Sequence, residues 1–143
     1  MAELPHGEAV IGLLTLVAAH SAHPQRSFAT QPYVDNEVWE FVGRTHDGMR
    51  YYLRRQDVDA ASPDQTNAPV WEYFVNADGS SSKDLMYVSC PAHRYLVSTW
   101  VEYDVDGNVK ASGDDTYQGA KPIVPDSIAE SGVNLLCNHP KSQ

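Results

Sequence analysis

The sequence predicts an α+β domain: an antiparallel sheet of about six strands, with a carboxyl-terminal helix packed on it and tethered by a disulfide. Three observations predict it. Short runs rich in β-branched and aromatic residues alternate with Asp-Gly and other turn signals from residue 38 onward. Helical signals appear only near the carboxyl end, where a capping sequence precedes an apolar stripe. Two cysteines, Cys90 and Cys137, each sit at the edge of an apolar segment, one mid-chain and one at the end of that stripe.

Residues 9–19 form an uncharged apolar run about as long as the hydrophobic part of a signal peptide, followed by the small residues Ala19, Ser21 and Ala22. The run is too short to cross a bilayer as a helix. Glu3 and Glu8 precede it and no Lys or Arg does, which departs from an export signal and leaves a retained helix docked on a partner as the other reading. Residues 1–35 are therefore a signal-like or docking segment and linker, kept extended by Pro24 and Pro32, and residues 36–143 are the folded domain.

Within that domain, residues 38–44 alternate as a half-buried strand, His46-Asp47-Gly48 supplies a hairpin turn, and residues 49–53 return. A loop containing Pro63 and Asn67 leads to a third strand at 70–75, ended by Asn76-Ala77-Asp78-Gly79. Residues 85–90 and 95–103 read as two more strands on either side of Pro91, and Asp106-Gly107 turns the chain into a last short one at 108–112. Links this short imply antiparallel pairing. Ser127 and Glu130 then have capping-box spacing, and Ile128, Leu135 and Leu136 fall on one helical face with Gly132 as a small contact residue, a face that should lie on the sheet.

A chain of 143 residues is long enough for one domain with a true core. Its net charge of −9 comes from 19 acidic and 10 scattered basic residues, which excludes a nucleic-acid partner, since neutralising phosphates needs concentrated positive charge. Arg54-Arg55 is the one adjacent basic pair: a local spot for an acidic partner, or a solvated strand end. Two cysteines are the minimum for one bridge. Buried free thiols in a cytosolic protein are the competing reading, and compartment decides between them.

Catalytic patterns are absent. No G-x-S-x-G nucleophile turn occurs, and His46, His93 and His139 fall in predicted loops. Cys90-Pro91-Ala92-His93 lacks the paired cysteines of a zinc site. Asp57 with Asp59, and Asp104 with Asp106, suggest calcium ligands, but the twelfth position from Asp104 is Asp115 where a calcium loop wants glutamate. No enzyme activity, metal or cofactor is expected. The aromatic residues, three Trp, eight Tyr and three Phe, are more informative: a sheet with one covered face leaves some exposed for protein recognition. Tyr51 and Tyr52 are adjacent on a strand, so one of the two must leave the helix-covered face.

Trp39, Tyr51-Tyr52, Val70-Trp71, Lys83, Cys90, Tyr103 before Asp106-Gly107, and the ending from Ile123-Val124-Pro125-Asp126-Ser127 to Cys137 together make a series that resembles the bacterial surface-adhesin protein E family. The resemblance spans residues 38–137 and is most specific in its ending. It implies the same sheet and disulfide-tethered helix. It further implies a non-enzymatic domain exported to the periplasm, outer-membrane surface or medium, which binds a protein ligand and can form a homodimer. Lys83 matches a basic position before the first cysteine of the family, and with Tyr51, Tyr52, Arg54 and Arg55 it makes the set of candidate ligand contacts. Asp84 beside it and the acidic net charge argue against polyanionic ligands. No lipid-anchor cysteine is seen near residue 1, so membrane association is expected to be peripheral at most. The alternative is a small accessory subunit of a larger envelope complex, held to a partner subunit through the amino-terminal segment.

Overall fold

The computed structural model describes residues 32–138, so the apolar run 9–19, most of the linker and His139 lie outside the described residues. The first hairpin forms where the alternation placed it, from β1 (Trp39–Arg44) and β2 (Arg50–Arg54). Its turn is closed by the Thr45 amide donating to the Met49 carbonyl at 2.9 Å, and Gly48 takes the left-handed φ of 92° that glycine adopts without strain. β3 (Ala68–Val75), β4 (Ser81–Ser89), β5 (Arg94–Tyr103) and β6 (Val109–Asp114) follow in order as an antiparallel meander. A two-residue strand, β7 (Lys121–Pro122), pairs with the end of β5 that β6 leaves open.

Two departures from expectation are instructive. β4 begins at Ser81 rather than residue 85, because Ser81, Ser82, Lys83 and Asp84 carry no apolar signal yet complete a ladder with Glu72–Val75 on one side and Val101–Tyr103 and Trp100 on the other. The second is a short helix, α1 (Arg55–Ala60), where only strand and loop were expected. Six residues are too few to show a helical period, and α1 is held by tertiary contacts instead. Val58 is buried in the core, while Asp57 takes both the Arg54 guanidinium, at 2.8 and 2.9 Å, and the Trp71 amide, at 2.9 Å.

α2 (Ile128–Cys137) starts at the predicted cap. The Ser127 hydroxyl accepts the Glu130 amide at 3.2 Å, and the Glu130 carboxylate accepts the amide of Asp126, one residue earlier than an ordinary capping box would use. The helix buries Gly132, Val133 and Leu136, with Ile128 and Leu135 partly buried beside them, so Val133 joins the face read from the sequence. Gly132 is required: a Cβ there would collide with the Tyr51 hydroxyl.

The sheet divides the molecule into two faces. On the helix side Tyr51, Leu53, Val70, Met86 and Val88 form the main core with α1 and α2. A bulge at Phe41/Gly43 turns Val42 toward that core. The Cys90–Cys137 bridge joins the turn after β4 to the last residue of α2 across 47 positions, a loop whose closure contributes roughly 4 kcal/mol. On the other face a smaller cluster gathers Val34, Tyr52, Tyr73 and Val75, with Trp39 against it. Val34 belongs to the segment assigned to the linker, so the fold begins a few residues before the predicted boundary at 36.

Candidate functional site

Among the described residues no helix covers the second face, and the register of the strands determines what it displays. The pairing of Phe41 with Tyr52, Tyr52 with Tyr73, Tyr73 with Lys83 and Lys83 with Val101 puts these residues in one row across five strands. Beside it Trp39 pairs with Arg54 and Trp71 with Leu85, and Trp39, Arg54 and Trp71 line one groove. Side chains directly opposite on one face lie in reach of each other, so these residues form a continuous aromatic and cationic surface.

Lys83 is the centre of it. Its ammonium lies 5.0 Å from the Tyr73 ring centroid and 5.6 Å from those of Trp39 and Tyr103. Such contacts are each worth about 0.5–1 kcal/mol at an exposed site and more when water is excluded. Among the described residues the two ion pairs, Arg54 with Asp57 and Arg55 with Glu40, leave Lys83 without a carboxylate. A groove of about 230 Å³ lined by Trp39, Arg54, Trp71, Lys83, Val101 and Tyr103 lies to one side. A second, of about 200 Å³, lies to the other between Pro32, Tyr73, Ser81, Lys83, Tyr103 and Val105, with Asp104, whose oxygens are taken by its own turn, also in its wall. Lys83 is thus a charge set between two largely apolar depressions.

The remaining candidates separate from it. Tyr51 is wholly buried on the helix side and Tyr52 is 5% exposed under Val34 and Phe41, so neither offers a ligand a surface. The expectation that adjacent tyrosines face opposite sides holds, but α2 covers one and the early chain and Phe41 cover the other. Arg54 reaches the groove while bidentate to Asp57, and Arg55 is committed to Glu40 at 2.5 Å and to the Asn36 carbonyl at 2.9 Å. Trp39, Tyr73, Trp71 and Tyr103, which surround Lys83, were not in the predicted contact set. Only the strand register brings Trp39 and Tyr103 to one lysine, and no short-range spacing carries that information. Arg50, also unforeseen, lies over the Tyr52 ring at 5.9 Å, with two guanidinium nitrogens buried and lacking an acceptor.

The helix side carries the opposite charge. Glu72 is 5% exposed and accepts the Tyr51 hydroxyl at 2.5 Å. Burial pushes its carboxyl up to about 8; the Tyr51 hydrogen bond draws it part of the way back, and the neighbouring Asp84 adds to the rise. Asp84, directly opposite Glu72 in the ladder, is raised to about 6 by burial and then by Asp115 and Glu102. Burial, and next the charge of Glu72, hold the Tyr51 phenol well above its ordinary range. The exposed carboxylates behave differently: the Thr45 hydroxyl lowers Asp47, and the amides and side chain of Asn108 and its turn lower Asp104. Asp104 therefore spends its oxygens on its own hairpin turn, at 2.9–3.2 Å from Asn108, and Asp57 spends its own on Arg54 and Trp71.

His46 and His93 are exposed in turns, and no group of three or more metal-ligating side chains occurs among the described residues. No helix among them is long and apolar enough to cross a membrane. Compared with protein-family models, with curated proteins and with solved structures, the chain matches none of them.

Proposed function

We propose that this chain is an exported, non-enzymatic binding domain that holds a protein ligand on the open face of its sheet, in the manner of a cell-envelope or surface adhesin. The observation that carries the reading is Lys83, ringed by Trp39, Tyr73 and Tyr103, lacking a carboxylate partner among the described residues and set between two apolar grooves. Rigid aromatic side chains on strands present large contact area at little entropic cost, and a central basic residue supplies orientation. A ligand segment with apolar side chains for the grooves and an acceptor for the ammonium fits this arrangement. The Cys90–Cys137 bridge supports export, since such bonds persist in oxidising compartments.

The test is binding of the purified chain to immobilised matrix and serum proteins, and to extracts of the producing cell envelope. Lys83→Glu and Trp71→Ala should each reduce retention at least tenfold while the chain stays folded by circular dichroism at the assay temperature, and Lys121→Glu on the opposite face should leave retention intact. Equal retention by all of these variants would overturn the reading. Recovery of the chain in a fixed ratio with one envelope subunit, insensitive to Lys83, would replace it with the accessory-subunit alternative.

A further inference from the structure

α2 contributes no ladder hydrogen bonds to the sheet. It is held by Val133, Leu136 and their neighbours, by the bridge at its last residue, and by the close seat of Gly132 on Tyr51. The Tyr51 hydroxyl that meets Gly132 is the one that donates to Glu72. The carboxyl is therefore one hydroxyl group away from the helix. β3, which carries Glu72, is paired along both edges, with β2 and with β4, so water cannot reach the carboxyl by parting strands without breaking a ladder. Lifting the helix breaks none.

We propose that Glu72 and the Cys90–Cys137 bridge make α2 a tethered, proton-controlled cover: with the carboxyl protonated the helix is seated, and with it ionised the helix lifts on its disulfide and bares the apolar face beneath.

The other titratable groups around this seat do not offset the charge. Tyr51 from β2 and Asp84 from β4 face Glu72, and Tyr95 from β5 acts on Tyr51. Glu102 and Asp115 act on Asp84, and Lys121 lines the groove on that side. On α1, Asp57 is neutralised by Arg54, and on α2, Glu130 is occupied with the Asp126 amide. Among the described residues the charge that acts on Glu72 is thus the acidic Asp84, while Lys121 lies in the groove beyond Asp84 and Arg44 and His46 line the groove at the start of α2. The sign follows from an acid whose ionisation is raised when seated: the closed helix is favoured most at low pH, and closure weakens as pH rises from about 4.5 to about 8, beyond which it is level.

Hydrogen exchange of the full chain, read by mass spectrometry at pH 5, 6, 7 and 8 and corrected for intrinsic rates, tests this. Protection across 128–137 should fall about tenfold per pH unit and remain below that of β3 and β4, as one linked proton requires. Glu72→Gln should abolish the slope. Tyr51→Phe, which removes the donor that favours the ionised carboxyl, should keep the same onset but carry the fall past pH 8, where the wild type levels, as read by adding pH 9 for both proteins. A flat wild-type profile, an undiminished slope in Glu72→Gln, a fall in Tyr51→Phe that levels where the wild type does or earlier, or simultaneous loss of protection in α2 and β3 would each overturn the proposal.

Discussion

Two neighbouring rungs of the β3–β4 ladder take ionisable residues of opposite kind to opposite faces of the sheet. On one, Tyr73 faces Lys83 and the ammonium rests among three rings at the surface; on the next, Glu72 faces Asp84 and the glutamate is enclosed beneath the core. The two rungs are one residue apart in sequence. Lysine can lay its long stem along aromatic surface and keep its head near water, whereas a short carboxyl under a covered face has no such route and must hold its proton. Sidedness, and not local composition, decides whether a polar residue in this sheet is a contact or a liability.

The comparison breaks most sharply at the helix face. Replacing Cys90 and Cys137 together by alanine should lower stability by roughly 4 kcal/mol, measured by urea unfolding, because α2 and the strand end are joined through 47 positions. Leu136→Ala, at a site with no exposure, should cost about 3 kcal/mol by the same measurement. Stability should then rise as pH falls from 8 toward 5, by about 1.4 kcal/mol per unit while Glu72 alone takes up a proton and more steeply below about 6, where Asp84 joins it, since both bind protons more tightly folded than unfolded. The trend should reverse at lower pH, where the lowered carboxylates Asp47, Asp78, Asp104 and Asp114 take up protons. Glu72→Gln should flatten most of the rise; a rise of the same size in that variant would place its source elsewhere. The smallest effect belongs to the open face, where Lys83→Met exchanges the ring contacts of the ammonium for those of a thioether and should move the unfolding midpoint by the equivalent of about 1 kcal/mol or less. If it cost as much as Leu136→Ala, the open face would be a second core and not a recognition surface.

Much of the scaffold was legible before any coordinates. The first hairpin followed from alternation and Asp47-Gly48, the cap of α2 from Ser127 and Glu130, and the pairing of Cys90 with Cys137 from there being only two cysteines beside apolar segments. The first half of β4 and all of α1 were not, since Ser81–Asp84 and Arg55–Ala60 have no apolar period and take their conformation from the neighbours they meet. In the candidate site, Lys83 was named on family resemblance alone, while Tyr51 and Tyr52 were named for exposure that burial denies them.

What the amino-acid order determined by itself is therefore local and periodic: which segments extend, where they turn, and that a capped helix closes the chain. Those features depend on dihedral preferences and on alternation within a few residues, and they are written along the chain. Only the tertiary structure decided that Trp39, Tyr73 and Tyr103 converge on one lysine, that Val34 returns to cover Tyr52, and that Glu72 lies one hydroxyl away from the helix. Each of these depends on register between distant strands, where a shift of one residue would turn every side chain to the other face.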